Sequence, residues 1–364
     1  MHLIQRVLAA LPAVLRTVLR TVPLAFAMAM AHAAPPAEVR IAVVAYTTAG
    51  KQNFAGGVAT ISREGELQRE LAKRGVRLTW VPVSTAAVGP QVNEAFSNKS
   101  IDFAAYGDLP SVIVNAAKVP TRLLVPSSTS NTYLVVPARS AVKSVKDLKG
   151  KRVALMRGRP WEYPFVKLLE ANGMKLSDVR VVNLNPQAGA AAVSAGSVDA
   201  FFTLSDAWLL VDKGLARIVW DSKAAPRSWQ MRAELWGDKG FVQANPELTQ
   251  LVVDAFVKNA RWSSDEANKD EVIRIGAASG IPESVIRRDY EGTGGSWKER
   301  YSPLFTPALA DHYRDLAAYA RQSRLIAADV DIVSTFEPRF VQSALQRLRL
   351  DGYWAASLPK GAPK

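Results

Sequence analysis

The chain has 364 residues, enough for about two domains of ordinary size. With 48% hydrophobic and 22% charged residues it has the balance of a soluble globular protein, which excludes a disordered or fibrous chain. The net charge of +13 is scattered and lacks an aromatic-plus-basic stripe, so no nucleic-acid partner is expected, and with no cysteine there are no disulfides and no thiol chemistry.

The first 33 residues carry Arg6, Arg16 and Arg20 and no acidic residue, then an apolar run over 22–30 and Ala31-His32-Ala33. A basic start, a short apolar core and an A-x-A site predict a secretory signal peptide (1–33) cleaved after Ala33. The apolar core falls short of the roughly 20 residues that span a bilayer. The chain is expected to be exported, with the mature protein free in its compartment because no cysteine is available for lipid attachment.

A buried strand is predicted over 39–45, followed by the polar turn Tyr46-Thr47-Thr48. Ser62 reads as the N-cap of a helix carrying Leu67 and Leu71 and ending at Gly75, and 76–81 is the next strand. Strand, helix and strand with short links form the βαβ unit of a parallel sheet. Next comes Ser100-Ile101-Asp102-Phe103-Ala104-Ala105-Tyr106, leading to Gly107-Asp108 and the apolar stretch 109–117. A strand at 123–125 runs into a hydroxyl-rich loop holding Ser128, Ser130 and Asn131, and an extended segment over 132–137 leaves it.

The second half repeats this order. A strand over 149–156 gives the turn Arg157-Gly158-Arg159-Pro160-Trp161-Glu162, a helix over 164–172 stopped by Gly173, and a strand over 179–184. Ser197-Val198-Asp199-Ala200-Phe201-Phe202-Thr203 then leads to Ser205-Asp206, Ala207 and Trp208, a second copy of the passage at 100–108. The duplication predicts two similar lobes with a ligand held between them. The chain crosses back near 229–234, and the last third is mostly helical, over 248–262, 270–278, 282–290 and from Thr306-Pro307 to about 323. The Pro- and Lys-rich end, 354–364, is read as a flexible tail.

Of three histidines, His2 and His32 lie in the leader, leaving His312 in an amphipathic helix where it reads as structural. One histidine without cysteine builds no common zinc site, and no nucleophile elbow, Walker loop or G-x-G-x-x-G occurs. No metal, cofactor or catalytic residue is therefore expected. What remains are turns beyond the carboxyl ends of strands, where α/β sheets bind ligands. Hydroxyls, backbone N–H groups, helix starts and the forked guanidinium of Arg159 suit an oxyanion. Asp108 and Asp206 stand where helix caps are wanted, so capping explains them as well as ligand contact does.

Several blocks resemble the periplasmic substrate-binding proteins of ABC importers for nitrate, sulfonates and taurine, most of all the aliphatic-sulfonate group. They are Gly89-Pro90-Gln91-Val92-Asn93-Glu94-Ala95-Phe96, Ser100-Ile101-Asp102-Phe103 with Tyr106-Gly107-Asp108-Leu109-Pro110, 145–154, Gly196-Ser197-Val198-Asp199-Ala200, Arg324-Leu325-Ile326 and Val330-Asp331-Ile332. The resemblance runs over about 39–339. It implies an α/β type II periplasmic binding fold of two lobes, each with a central mixed sheet flanked by helices, joined by a two-strand hinge. The first lobe is expected over 38–136 plus 235–345 and the second over 137–234. The implied function is capture of a small organic anion by a monomer, without cofactor or chemistry, and delivery to an ABC permease.

The resemblance and the turns together make Tyr46, Thr47, Thr48, Gly107, Asp108, Ser128, Ser130, Asn131, Arg159, Trp161, Glu162, Asp206 and Trp208 the candidate ligand residues. The turn after Met156 departs from the small Ser-rich turn of the sulfonate group. Its bulk and charge favour an aromatic or larger organic anion, and Glu162 offers a partner for a ligand amine. Two alternatives stay open: an enzyme of the thiamine-pyrimidine type on the same fold, which relies on histidine, and a ligand-sensing partner of a membrane receptor.

Overall fold

A computed structural model of the chain describes residues 36–48, 50–54, 56–127 and 129–354. The predicted leader and its cleavage site, Ser128 and residues 355–364 lie outside them.

The first sheet contains β1 (Glu38–Thr48), β2 (Lys51–Phe54), β3 (Arg77–Ser84), β4 (Phe103–Gly107), β5 (Thr121–Val125), the short β6 (Thr129–Ser130) and β12 (Met231–Asp238). The second contains β7 (Tyr133–Pro137), β8 (Arg152–Ala154), β9 (Arg180–Val182), β10 (Ala200–Thr203) and β11 (Ala216–Asp221). β3, β1 and β4 run parallel and β12 lies antiparallel between β4 and β5. β9, β8 and β10 likewise run parallel, with β7 antiparallel between β10 and β11. Both sheets are mixed and share one strand order. Each has its fourth position filled by the strand that has just crossed from the other sheet. This exchange builds the two-lobed, two-crossover fold.

The crossings fall slightly earlier than the boundaries expected from the sequence. Tyr133–Pro137 hydrogen-bonds wholly within the second sheet, and Met231 already pairs with Ser130 of the first. The passing segments are 131–132 and 222–230.

The duplicated passage has a physical cause in both lobes. Asp102 accepts the backbone N–H of Arg40 at 2.8 Å and its guanidinium at 2.7 Å, while its own N–H donates to Arg40 O. Asp199 accepts Arg152 N–H at 2.7 Å, pairs with its guanidinium at 3.4 Å, and donates to Arg152 O. In each lobe the aspartate fastens the start of one parallel strand to its neighbour, β4 to β1 and β10 to β8.

Two local expectations are corrected. A helix already occupies Gly56–Glu64, so Ser62 sits inside it and bonds Ala59 O. Gly65, at φ 64, breaks that helix and leads the next, Glu66–Ala72, because glycine takes the left-handed conformation without a Cβ clash. The polar turn read at Tyr46-Thr47-Thr48 is instead the end of β1, which folds back on β2 with Tyr46 opposite Asn53 and Thr47 opposite Gln52.

Two apolar clusters cover the faces of the first sheet and two those of the second. The helix Glu162–Ala171 serves both lobes: Phe165, Leu168 and Leu169 pack in a second-lobe cluster, whereas Tyr163 and Val166 pack with Tyr313, Leu316 and Tyr319 of the helix Pro307–Gln322. Trp354, placed in the tail by the sequence reading, is 1% exposed and belongs to a first-lobe core.

Candidate functional site

The ends of β1, β4, β5 and β10 and the start of the helix Gly56–Glu64 face a cavity of about 600 Å³ between the two sheets. Its wall is largely apolar, with Val44, Val88, Val125, Trp161, Leu235 and Phe256. Of the candidate ligand residues it brings together Tyr46, Gly107, Ser130, Arg159, Trp161 and Asp206.

Arg159 is the unusual member. It is only 6% exposed, yet among the described residues it has no carboxylate partner, the ion pair of this turn being made by Arg157. Nη2 donates to Thr85 O at 3.3 Å, across the cleft, and the guanidinium carbon lies 5.0 Å from the centre of the Trp161 ring. Nε and Nη1 have no hydrogen-bond partner among the described residues. Burial brings its pKa down to about 10, so it remains a cation at neutral pH. An unpaired buried charge costs several kcal/mol, a cost an entering anion removes.

Around it are neutral donors. The Tyr106 hydroxyl is buried and has no partner among the described residues, and burial holds its pKa well above the ordinary tyrosine value, so it keeps its proton. Tyr46 is pushed up in the same way, by burial first and by the charge of Asp206 second. Gly56, Gly57 and Val58 present the start of a nine-residue helix to the cavity. A Cβ on Gly57 would lie 2.2 Å from Asn259 Nδ2, so a larger residue here would have to displace the Asn259 amide.

Two carboxylates also line the cavity and differ in kind. Glu234 is neutralised in place: Arg232 Nε donates to it at 2.6 Å and the Tyr313 hydroxyl at 2.6 Å. Asp206 accepts from the Thr203 hydroxyl at 2.8 Å and Leu204 N–H at 3.1 Å, with no cation beside it among the described residues. Burial raises its pKa to about 6.

The remaining candidates have other work. Asp108 is not a side-chain cap: it is the first residue of its helix, 1% exposed, and its Oδ2 takes His312 Nε2 at 2.9 Å and Arg232 N–H at 3.0 Å. Asp206 precedes the helix Ala207–Asp212 but makes no cap bond either. Glu162 is fully buried beside the cavity and is held by Arg157, Gly158 N–H and the Tyr319 hydroxyl, which leaves it unavailable to a ligand amine. Asn131 ties the crossing to Asp289 O and Thr293. Trp208 packs edge-on against Tyr133 and under Arg288, away from the cavity. Thr47 is exposed in the hairpin, and Thr48 pairs with Lys51 there.

A family model for the periplasmic substrate-binding protein of a phosphonate ABC transporter matches residues 64–266. The chain belongs to this family of periplasmic substrate-binding proteins. At 45% identity it is similar to the solved periplasmic sulfonate-binding protein SsuA from Methylobacillus flagellatus KT, with a TM-score of 0.80 over 87% of this chain and 96% of that one. It is 31% identical over 127 residues to an aliphatic sulfonates-binding protein of Escherichia coli (strain K12), a match spanning 34% of this chain and 39% of that protein. The fold alone, at 19% identity and a TM-score of 0.65, is shared with the desulfurization enzyme DSZB, solved as a cysteine-to-serine variant with biphenyl-2-sulfinic acid.

Another groove of the binding protein, about 680 Å³ between the helices Pro246–Ser263 and Arg339–Arg347, has its arginines paired, Arg347 with Asp254 and Arg339 with Glu337. Among the described residues no group of three or more His, Cys, Asp or Glu could hold a metal. Sequence reasoning missed Glu234, Asn259 and Tyr106 as wall residues. Tyr106 was marked by its place in the repeat, whereas Asn259 and Glu234 carry no local signal.

Proposed function

We propose that this binding protein captures a small organic anion with a sulfonate-like head and an apolar body of up to aromatic size, closes its lobes on it, and hands it to an ABC permease. The observation that carries the reading is Arg159, a nearly buried cation on the wall of a largely apolar cavity, with two nitrogens that have no partner among the described residues. The head group would take the guanidinium and the tyrosine hydroxyls, and the wall of valines with Trp161 would cover the body. The sulfonate names of its relatives support the head-group chemistry. Ser130, Gly107 and Asp206 are proposed as further contacts, and Ser128 remains a candidate on sequence alone.

The lobes are proposed to act as a monomeric hinge, with the leader removed after Ala33. No bond-making step is proposed. The chain has no cysteine. Both ring nitrogens of His312 are occupied, Nδ1 with Ser228 O at 3.0 Å and Nε2 with Asp108, and the ring does not line the cavity. These facts support binding over either the thiamine-pyrimidine or the desulfurization type of enzyme.

A thermal-shift panel of alkyl and aryl sulfonates, taurine, nitrate, aromatic carboxylates and pyrimidines tests the reading, since a ligand specific to the folded state raises the melting temperature by mass action. Sulfonates with an apolar body should give the largest rise. A panel in which only uncharged compounds raise it overturns the anion assignment.

A further inference from the structure

The turn that carries Arg159 is held from behind by a single carboxylate. Glu162 is 0% exposed, and its two oxygens take the Gly158 N–H, the Arg157 guanidinium and the Tyr319 hydroxyl at 2.8 Å. Gly158 and Arg157 are the two residues immediately before Arg159, so the carboxylate fixes the backbone that aims the guanidinium. Tyr319 belongs to the helix Pro307–Gln322, which packs on the first-lobe helix Asp108–Ala116. The Glu162–Tyr319 bond therefore runs between the lobes. Its neighbours are well packed: Tyr163 stands edge-on to His312 with ring centres 5.8 Å apart and 5.6 Å from Tyr319.

We propose that Glu162 is a positioning residue for anion binding, and that Tyr319 makes this positioning depend on lobe closure. With the lobes together, the tyrosine hydroxyl completes the set of donors around the carboxylate and locks the turn with Arg159 aimed into the cavity. When the helix withdraws, Glu162 loses a neutral donor from its buried oxygen, and the turn loses its brace. The anion and the closed state then favour one another, each improving the other by the same factor. The proposal rests on Arg159 being the anion's donor.

The test uses the mature chain with 1-hexanesulfonate and benzenesulfonate as probes, measured by calorimetry and by stopped-flow dissociation. Tyr319→Phe keeps the packed ring and removes only the hydroxyl; it should speed dissociation about tenfold while leaving association within about twofold. Glu162→Ala should weaken affinity about thirtyfold. Glu162→Gln, which keeps an acceptor oxygen, should fall between Ala and wild type, and the double variant with Tyr319→Phe should show non-additive losses. Small-angle scattering should show less compaction by probe in Tyr319→Phe than in wild type.

If Tyr319→Phe dissociates at the wild-type rate while Arg159→Ala still abolishes binding, the clasp is overturned and the anion reading stands. If Glu162→Ala and Tyr319→Phe lower the melting temperature but leave affinity and dissociation unchanged, their role is structural only and the proposal is likewise overturned. Unchanged affinity in Arg159→Ala, or no binding of either probe by the wild type, defeats the reading beneath it.

Discussion

The Cβ that Gly107 lacks would stand 2.1 Å from Cγ of Pro160 and 3.2 Å from its Cδ. Gly107 ends β4 in the first lobe, and Pro160 lies in the Arg159 turn of the second, so the two lobes meet here with room for a hydrogen only. Gly107 has an ordinary extended backbone, φ −72 and ψ 156, and its side-chain-free state is required by the neighbour and not by the chain's own torsions. Gly107→Ala should therefore fold normally but hold the lobes apart. Small-angle scattering with and without a sulfonate should show a loss of compaction, with affinity down about tenfold or more. Full compaction with unchanged affinity would show that the contact plays no part in closure.

Arg159→Ala tests the site itself. Charge-assisted hydrogen bonds are worth about 1.5–3 kcal/mol each, so losing two should reduce anion affinity at least ~100-fold. The unliganded protein should be as stable as before or more so, because a buried cation without a carboxylate has been removed. Calorimetry and thermal unfolding on one preparation separate the two effects. Wild-type affinity in the variant would remove Arg159 from the site.

Asp206 gives a pH dependence with a definite sign. Its pKa is raised from 3.8 to about 6, chiefly by burial. The folded state binds the proton more tightly than the unfolded chain, so this group's contribution to stability falls as pH rises from about 4 to about 6. The same ionisation places a negative charge in the cavity. Affinity for a simple sulfonate should then increase as pH drops from 7.5 to 5, and Asp206→Asn should flatten that dependence. A loss of affinity on acidification would instead mean that the carboxylate holds a cationic group of the ligand.

His312→Ala should cost stability and not affinity per folded molecule. The ring is 2% exposed and links Asp108, at the start of the cavity-side helix, to Ser228 in the returning crossover. Removing it leaves a buried carboxylate short of a donor and a gap between helices, about 2–4 kcal/mol by urea unfolding. A loss below about 0.5 kcal/mol would show that the bridge is dispensable.

Much of the fold was legible because it rests on local patterns. Alternating strands and helices with short links, and the copied Ser-x-Asp passage, determined two similar lobes. The copied residues that proved equivalent are Asp102 and Asp199, each tied to an arginine near the start of the neighbouring parallel strand, Arg40 in β1 and Arg152 in β8. Asp108 and Asp206 look equivalent in sequence, yet one is buried against His312 and the other faces the cavity. That divergence depends on the helix Pro307–Gln322, about two hundred residues beyond Asp108, and no local pattern reports it.

The same reason separates what each level decided. The sequence by itself determined the lobe architecture, the family and the presence of an arginine in an unusual turn, since periodicity and motif blocks are properties of neighbours along the chain. Only the tertiary structure decided that Arg159 is buried without a counter-charge, that Glu162 braces its turn from behind and does not line the cavity, and that Asn131 and Trp208 serve packing. Burial and pairing are set by residues brought together across the lobes, and a side chain's charge becomes a binding site or a brace according to which partner arrives.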